Sequence, residues 1–148
     1  MRNKTKRIIL ITVAGVMAVA AVSIYLIWNK PHKNVKDAAA TQITAPFLYN
    51  SFIVDSAKAR ALYVDKVMEV QGEVAKLSVN QQQQQVIMIK TGVDGAFINC
   101  TMEEKAAGLK AGDNVRVKGI CSGYISGDAD MGLPGDVFLI RGYSLLNK

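Results

Sequence analysis

Histidine is the scarcest chemistry-bearing residue in this chain of 148: His32 is its single copy, and nothing after it can supply an imidazole. That removes the commonest general acid–base near neutral pH and the commonest nitrogen ligand for zinc. Cysteine is almost as scarce. Cys100 and Cys121 stand too far apart for a C-x-x-C redox pair, and two thiolates without histidine fall short of a tetrahedral zinc set. No glycine-rich phosphate loop is present, and no pair of carboxylates sits in a setting apolar enough for acid–base work. A loop with Asp128, Asp130 and Asp136 starts like a calcium loop, but Gly132 stands at its third ligand position and Leu139 where the bidentate acid belongs. Catalysis, metal and cofactor are left without residues to carry them, and the expectation is a non-enzymatic chain.

Net charge is missing where a nucleic-acid binder would need it. The chain carries +6, but residues 1–37 hold seven Lys or Arg against one Asp, whereas residues 38–148 hold eleven of each sign. The excess is therefore membrane-proximal, and the larger part offers no overall basic surface to a phosphate backbone.

The chain does hold a long apolar run. From Ile8 to Trp28 there is no charged side chain, and about twenty apolar residues rising ~1.5 Å each can cross a hydrocarbon core of ~30 Å. Tyr25 and Trp28 fall where amphipathic rings favour the headgroup region. Arg2, Lys4, Lys6 and Arg7 precede the run and orient its N-terminus to the cytoplasm, which leaves the rest of the chain on the extracytoplasmic side of the bacterial inner membrane. Lys30, Lys33 and Lys36 on the other flank keep the inverted orientation open. So does the small-residue spacing Ala18-Val19-Ala20 for a cleaved signal peptide. The expected organisation is a basic tail at 1–7, a transmembrane helix at 8–28, a polar tether at 29–43 and one domain at 44–148.

Within that domain helix precedes strands. Thr44 caps a helical segment with Pro46 in its first turn, running to about Tyr63 either unbroken or with a new start at Asp55. From residue 66 the period changes: Met68, Val70, Gly72 and Val74 alternate with Glu69, Gln71, Glu73 and Ala75, a strand with a buried and a wet face. Gly72 in its middle suggests a bulge or bend. A polar tip with five glutamines at 81–85 leads to strands at 86–90 and 96–101, then a short helical turn at 102–108. Strands at 114–123 and 136–146 complete the set, separated by a glycine-rich loop at 124–135. The fold class is mainly β.

Five short strands, a helical turn between the third and fourth, and long first and fourth loops describe the partly open barrel of an OB-fold. The run 63–74, the segment Phe97-Ile98-Asn99-Cys100, the run 109–123 and the segment Asp136-Val137-Phe138-Leu139 together resemble the tRNA-anticodon-binding-like OB family of small exported bacterial proteins. The resemblance covers about residues 44–146 and implies the barrel; it carries no ligand with it. The arrangement of span plus barrel is also similar to periplasmic haem chaperones, but no histidine ends the last strand here, so their chemistry does not transfer.

An OB-fold engages extended polymers through its second and third strands, rimmed by its first and fourth loops. Lys90, Phe97, Arg116, Lys118 and Tyr124 are the candidate ligand-binding residues. A protein or polymer partner is one expectation and single-stranded nucleic acid the alternative, favoured if Lys76, Lys90, Arg116 and Lys118 converge; a structural envelope component is a third. Cys100 and Cys121 lie on different strands and would meet an oxidising compartment, so they form either a disulfide or two buried thiols.

Overall fold

The structure, a computed structural model, describes residues 13, 15–25, 35–128 and 130–145, and the chain divides into two units, Met1–Asn34 and Val35–Lys148. In the first unit residues 15–25 are helical and exposed, and Ser23 Oγ donates to the Val19 carbonyl at 2.8 Å, hiding its hydroxyl on its own helix. Among the described residues no helix is long and apolar enough to cross a membrane. The basic tail, His32, and residues 8–12, 14 and 26–28 of the expected span lie outside the described residues.

The second unit begins earlier than expected. Val35 is 2 % exposed, and β1 (Thr41–Thr44) runs parallel to the first half of β2 (Val67–Val79), Thr41 opposite Met68 and Thr44 opposite Gln71. The 29–43 tether thus ends short of its expected boundary. The reason is an open edge: residues 67–73 of β2 give one edge to β5 (Asn114–Ile125), and the other needs a partner for its backbone groups.

The helical segment divides in two, α1 (Ala45–Val54) and α2 (Ser56–Tyr63), because Asp55 leaves helical geometry and its Oδ1 accepts from Lys58 N at 2.9 Å as the cap of α2. Pro46 sits in the first turn of α1, but the Thr44 side chain makes no capping bond. β3 (Gln85–Lys90), β4 (Phe97–Met102) and β6 (Asp136–Ser144) complete the sheet, in the order β1-β2-β3-β4-β6-β5, closed by β2–β5. Within the closed ring β4 and β6 are parallel and the other pairs antiparallel. This is the five-stranded barrel expected of an OB-fold.

Alternation fills its interior with Met68, Val70, Val74, Ile87, Ile89, Ile98, Cys100, Val117, Cys121, Val137 and Leu139, all at zero exposure. Each large apolar side chain so buried contributes about 1.5–3 kcal/mol. α1 adds Ala45, Leu48, Tyr49 and Phe52 to this core. Of the bulge or bend expected at Gly72, the bulge is not there. Gly72 stays in register opposite Val115, and the irregularity in β2 falls at Ala75, between Val74 and Lys76. A Cβ at Gly72 would lie 2.5 Å from Ile89 Cγ2 and 3.1 Å from Ala45 Cβ, so its hydrogen is what lets α1 settle against the barrel.

Residues 103–113 hold no helix. They form bends and turns, with Ala106 and Leu109 buried and the backbone tied by Glu103 N to Gly142 O and Val74 N to Asp113 O. The expected turn at 102–108, with Gly108 as its end, does not form because Met102 belongs to β4 and Glu103 N is tied to Gly142 O; Gly108 does take the positive φ of a terminator, at 77°.

Candidate functional site

The pleat of β3, β4 and β6 sends the residues between the core positions outward: Val86, Met88 and Lys90; Phe97, Asn99 and Thr101; Phe138. Register aligns them. Met88 pairs with Asn99 and Asn99 with Phe138, one row across three strands, and Lys90 pairs with Phe97 in the next. Met88, Phe97 and Phe138 are half-buried, so the face is an apolar platform with a polar centre.

That centre is Asn99, only 6 % exposed although it points outward. Its Nδ2 donates to Asp136 Oδ2 at 2.8 Å, while Phe97 N donates to Asp136 Oδ1 at 2.8 Å. One carboxylate therefore holds the start of β4 and the orientation of the Asn99 amide, since a flipped amide would set oxygen against oxygen. Asn99 Oδ1 is buried without a hydrogen-bond partner.

The rims are more ordered than their composition suggests. The glutamine tip is a tight turn: Asn80 Oδ1 accepts from Gln82 N at 3.0 Å and Gln84 N at 2.9 Å, and Asn80 Nδ2 donates to Gln84 Oε1. Gln85 Oε1 accepts from Ala106 N at 2.7 Å. In the other loop, Asp128 Oδ1 accepts from Asp130 N and Met131 N, and Met131 and Leu133 stand exposed beyond it. Among the described residues no group of three or more His, Cys, Asp or Glu could hold a metal ion.

The five candidate residues do not come together. Lys90 and Phe97 lie side by side on the β3–β4 face, where Lys90 is paired with Glu73. Arg116 and Lys118 lie on β5 against β2: Arg116 Nη1 meets Glu69 Oε1 at 3.2 Å, and Lys118 Nζ donates to the Lys36 carbonyl at 2.9 Å. Tyr124 turns beneath α1, stacked on Phe52 at 5.9 Å and edge-on to Tyr49 at 6.2 Å. Burial, with the neighbouring Tyr124 and Asp136, raises the Tyr49 phenol above its ordinary value. Lys76 is exposed on β2 opposite Met88, so the four basic residues divide between two sides of the barrel.

Cys100 and Cys121 are free and buried. β6 runs between their strands, and Leu139 pairs with Cys100 on one side and Cys121 on the other. Two strand spacings of about 4.8 Å place their Cα atoms up to about 10 Å apart, past the ~7 Å that a disulfide spans. Burial pushes both thiols up, Cys121 to about 11 and Cys100 well above the ordinary thiol range, so neither is poised as a nucleophile.

Met88, Asn99, Asp136 and Phe138 join the site from outside the candidate ligand-binding residues, although Asp136 stands in the calcium-like loop and Asn99 and Phe138 stand in the segments that carry the family resemblance. Alternation along 97–101 and 136–140 already points Asn99 and Phe138 outward. The Asp136–Asn99 contact spans 37 positions and leaves no local signal.

Barrel closure and strand order define an OB-fold. The tRNA_anti-like family model matches residues 1–131, and the chain belongs to that family. Among solved structures it is similar to a "putative nucleic acid-binding lipoprotein" from Klebsiella pneumoniae, at 12 % identity and a TM-score of 0.52, over 79 % of this chain and all of that one. A "putative aspartyl-tRNA synthetase" from Leishmania major matches at 8 % identity and a TM-score of 0.44, over 81 % of this chain and 22 % of that one. No curated protein matches.

Proposed function

We propose that the chain is a membrane-anchored, non-catalytic binding module that presents the outer face of β3, β4 and β6 to an extended partner chain or polymer outside the cytoplasm. The row Met88–Asn99–Phe138, with Phe97 beside it, carries this reading. Half-buried apolar side chains give an extended ligand surface to desolvate against, and the buried Asn99 amide holds their row in place. The uncharged run from Ile8 to Trp28 supports the anchor, and the basic residues before it support the outward orientation. Raised thiol pKa values and the lack of histidine after position 32 support a role without catalysis.

Single-stranded nucleic acid is the second reading. Phe97 and Phe138 on one OB face favour it, since bases stack on such rings. The division of the basic residues and the pairing of Lys90 and Arg116 with glutamates count against it.

One experiment separates the two. p-Benzoylphenylalanine is placed at Met88, or at exposed Lys58 on α2 as control, and cells are irradiated. A protease-sensitive adduct at 88 and not at 58 is the expected result; a nuclease-sensitive adduct selects the second reading, and no adduct above the control refutes the face. Labelling of a Ser126→Cys variant by a membrane-impermeant maleimide in intact cells tests the orientation, because both native thiols are buried.

A further inference from the structure

The row that carries the binding face is longer than Met88–Asn99–Phe138. Lys76 on β2 pairs with Met88, and Gly123 on β5 pairs with Phe138, so one row crosses all five strands of the barrel: Lys76, Met88, Asn99, Phe138, Gly123. At its β5 end the surface is hollow. Gly123 has no side chain, and a Cβ there would meet only Val64 Cγ2, at 3.8 Å. The hollow is a cavity of about 270 Å³ whose walls include Phe138, Ile125 and Arg60, the last reaching it from the final turn of α2.

Charge marks both ends of the row. Arg60 and Lys76 are exposed, and among the described residues neither side chain has a hydrogen-bond or ion-pair partner. Between them the row holds a thioether, an amide and a ring, with no cation. Lys90, in the neighbouring row, is held by Glu73. An uncompensated guanidinium beside an open cavity suits a carboxylate, which it can grip through two donors. Spacing turns these charges into a pattern. Four strand spacings of about 4.8 Å separate the ends of the row by about 19 Å along the surface, and six residues of an extended chain cover ~20 Å with side chains on one face at every second residue.

We propose that the β3–β4–β6 face binds an extended acidic segment of a partner protein that lies across the strands. One carboxylate enters the Arg60 cavity, and a second, six residues along, meets Lys76. The two side chains between them on the same face are apolar and cover Phe138 and Met88. This rests on the reading of that face as the binding surface and names the chemistry of its partner. Single-stranded nucleic acid matches the row less well: a phosphate at every nucleotide would lay charge over the uncharged middle, beside the carboxylate of Asp136.

The test uses the full chain in detergent micelles. A displayed library of random undecapeptides is selected against it, and the enriched peptides are made with a fluorescent label. They are expected to carry Asp or Glu at two positions six apart, with apolar residues at the second and fourth positions between. Arg60→Gln and Lys76→Gln break no hydrogen bond or ion pair within the described residues; each should leave the urea midpoint unchanged and weaken peptide binding about threefold to fivefold. Arg60→Glu should turn the residue selected at that end from acidic to basic. The proposal is overturned if no peptide is enriched, if the enriched peptides lack the acidic spacing, or if their affinities ignore both substitutions. p-Benzoylphenylalanine at Met88 separates this failure from failure of the face. Peptides that cross-link there without an acidic preference overturn the proposal and leave the face standing, whereas peptides that do not cross-link there refute both. A labelled oligothymidylate that binds more tightly than the peptides and displaces them would assign the two cations to phosphates and overturn the proposal equally.

Discussion

Replacing Asp136 with alanine strikes the platform at the point where its parts are joined. The change removes two hydrogen bonds at once, from Phe97 N and from Asn99 Nδ2, each 2.8 Å long. A bond to a charged acceptor is worth about 1.5–3 kcal/mol, and partial burial argues for the lower end, so the pair amounts to about 3 kcal/mol. Asn99 would then be left 6 % exposed with neither amide group paired. Against a total stability of about 5–15 kcal/mol for a domain of this size, that is a large share. With a urea slope of about 2 kcal/mol/M, the midpoint should fall by about 1.5 M. Asp136→Asn is the control. It keeps an oxygen for Phe97 N, and its new amide donor reaches the Asn99 oxygen if that amide flips, so about 1 kcal/mol is expected. The assay is urea unfolding of the full chain in micelles, monitored by circular dichroism of the strands. A loss below about 0.5 kcal/mol for the alanine variant, or equal losses for both, would refute the view that this carboxylate organises the face.

The packing sets further outcomes. Ellman's reagent at pH 8 should find no reactive thiol in the native chain and two after unfolding, since Cys100 and Cys121 are fully buried. Because both folded thiols ionise above their ordinary value of 9.0 and the unfolded ones do not, stability is fully present below about pH 9 and falls from there to about pH 11, where the Cys121 part ends. The raised phenol of Tyr49 adds a loss of the same sign at its alkaline end. A Cys121→Ala variant should flatten part of that slope in urea midpoints measured against pH. Gly72→Val should cost about 1–3 kcal/mol, because its Cβ would meet Ile89 and Ala45. An unchanged midpoint in the same urea assay would show that α1 does not rest there.

Five barrel strands were readable because each keeps a period of two between turn residues. Burial obeys that period: Met68, Val70 and Val74 point in, Glu69 and Gln71 out, and the same holds for Val115, Val117 and Cys121. Boundaries shifted by only one or two residues, as at β3 (Gln85–Lys90) and β6 (Asp136–Ser144). β1 escaped notice because four residues after an alanine run carry too little pattern; an open edge on β2 made them a strand. The helical turn at 102–108 failed for the opposite reason, since its local propensity lost to strand pairing at Met102 and to the bond from Glu103 N to Gly142 O.

The candidate site was half legible. Alternation puts Phe97 outward, and strand order alone tells that β3 and β4 are neighbours. Whether basic residues meet is a matter of which strands are adjacent around the ring, and Arg116 and Lys118 went with β5 to the other side. Cys100 and Cys121 show the same thing: two thiols on separate strands invite a bridge until β6 is found between them.

By itself, the sequence determined what depends on near neighbours: the apolar run from Ile8 to Trp28, the inward and outward faces of each strand, and the neutral balance of residues 38–148. Only the tertiary structure decided what depends on closure of the sheet: the strand added at Thr41–Thr44, the lodging of α1 against Gly72, and the carboxylate of Asp136 beneath Phe97 and Asn99. A side chain's face is set by the two-residue pleat of its own strand, whereas its partners are set by register between strands far apart in the chain, which is settled when the barrel closes around a shared core.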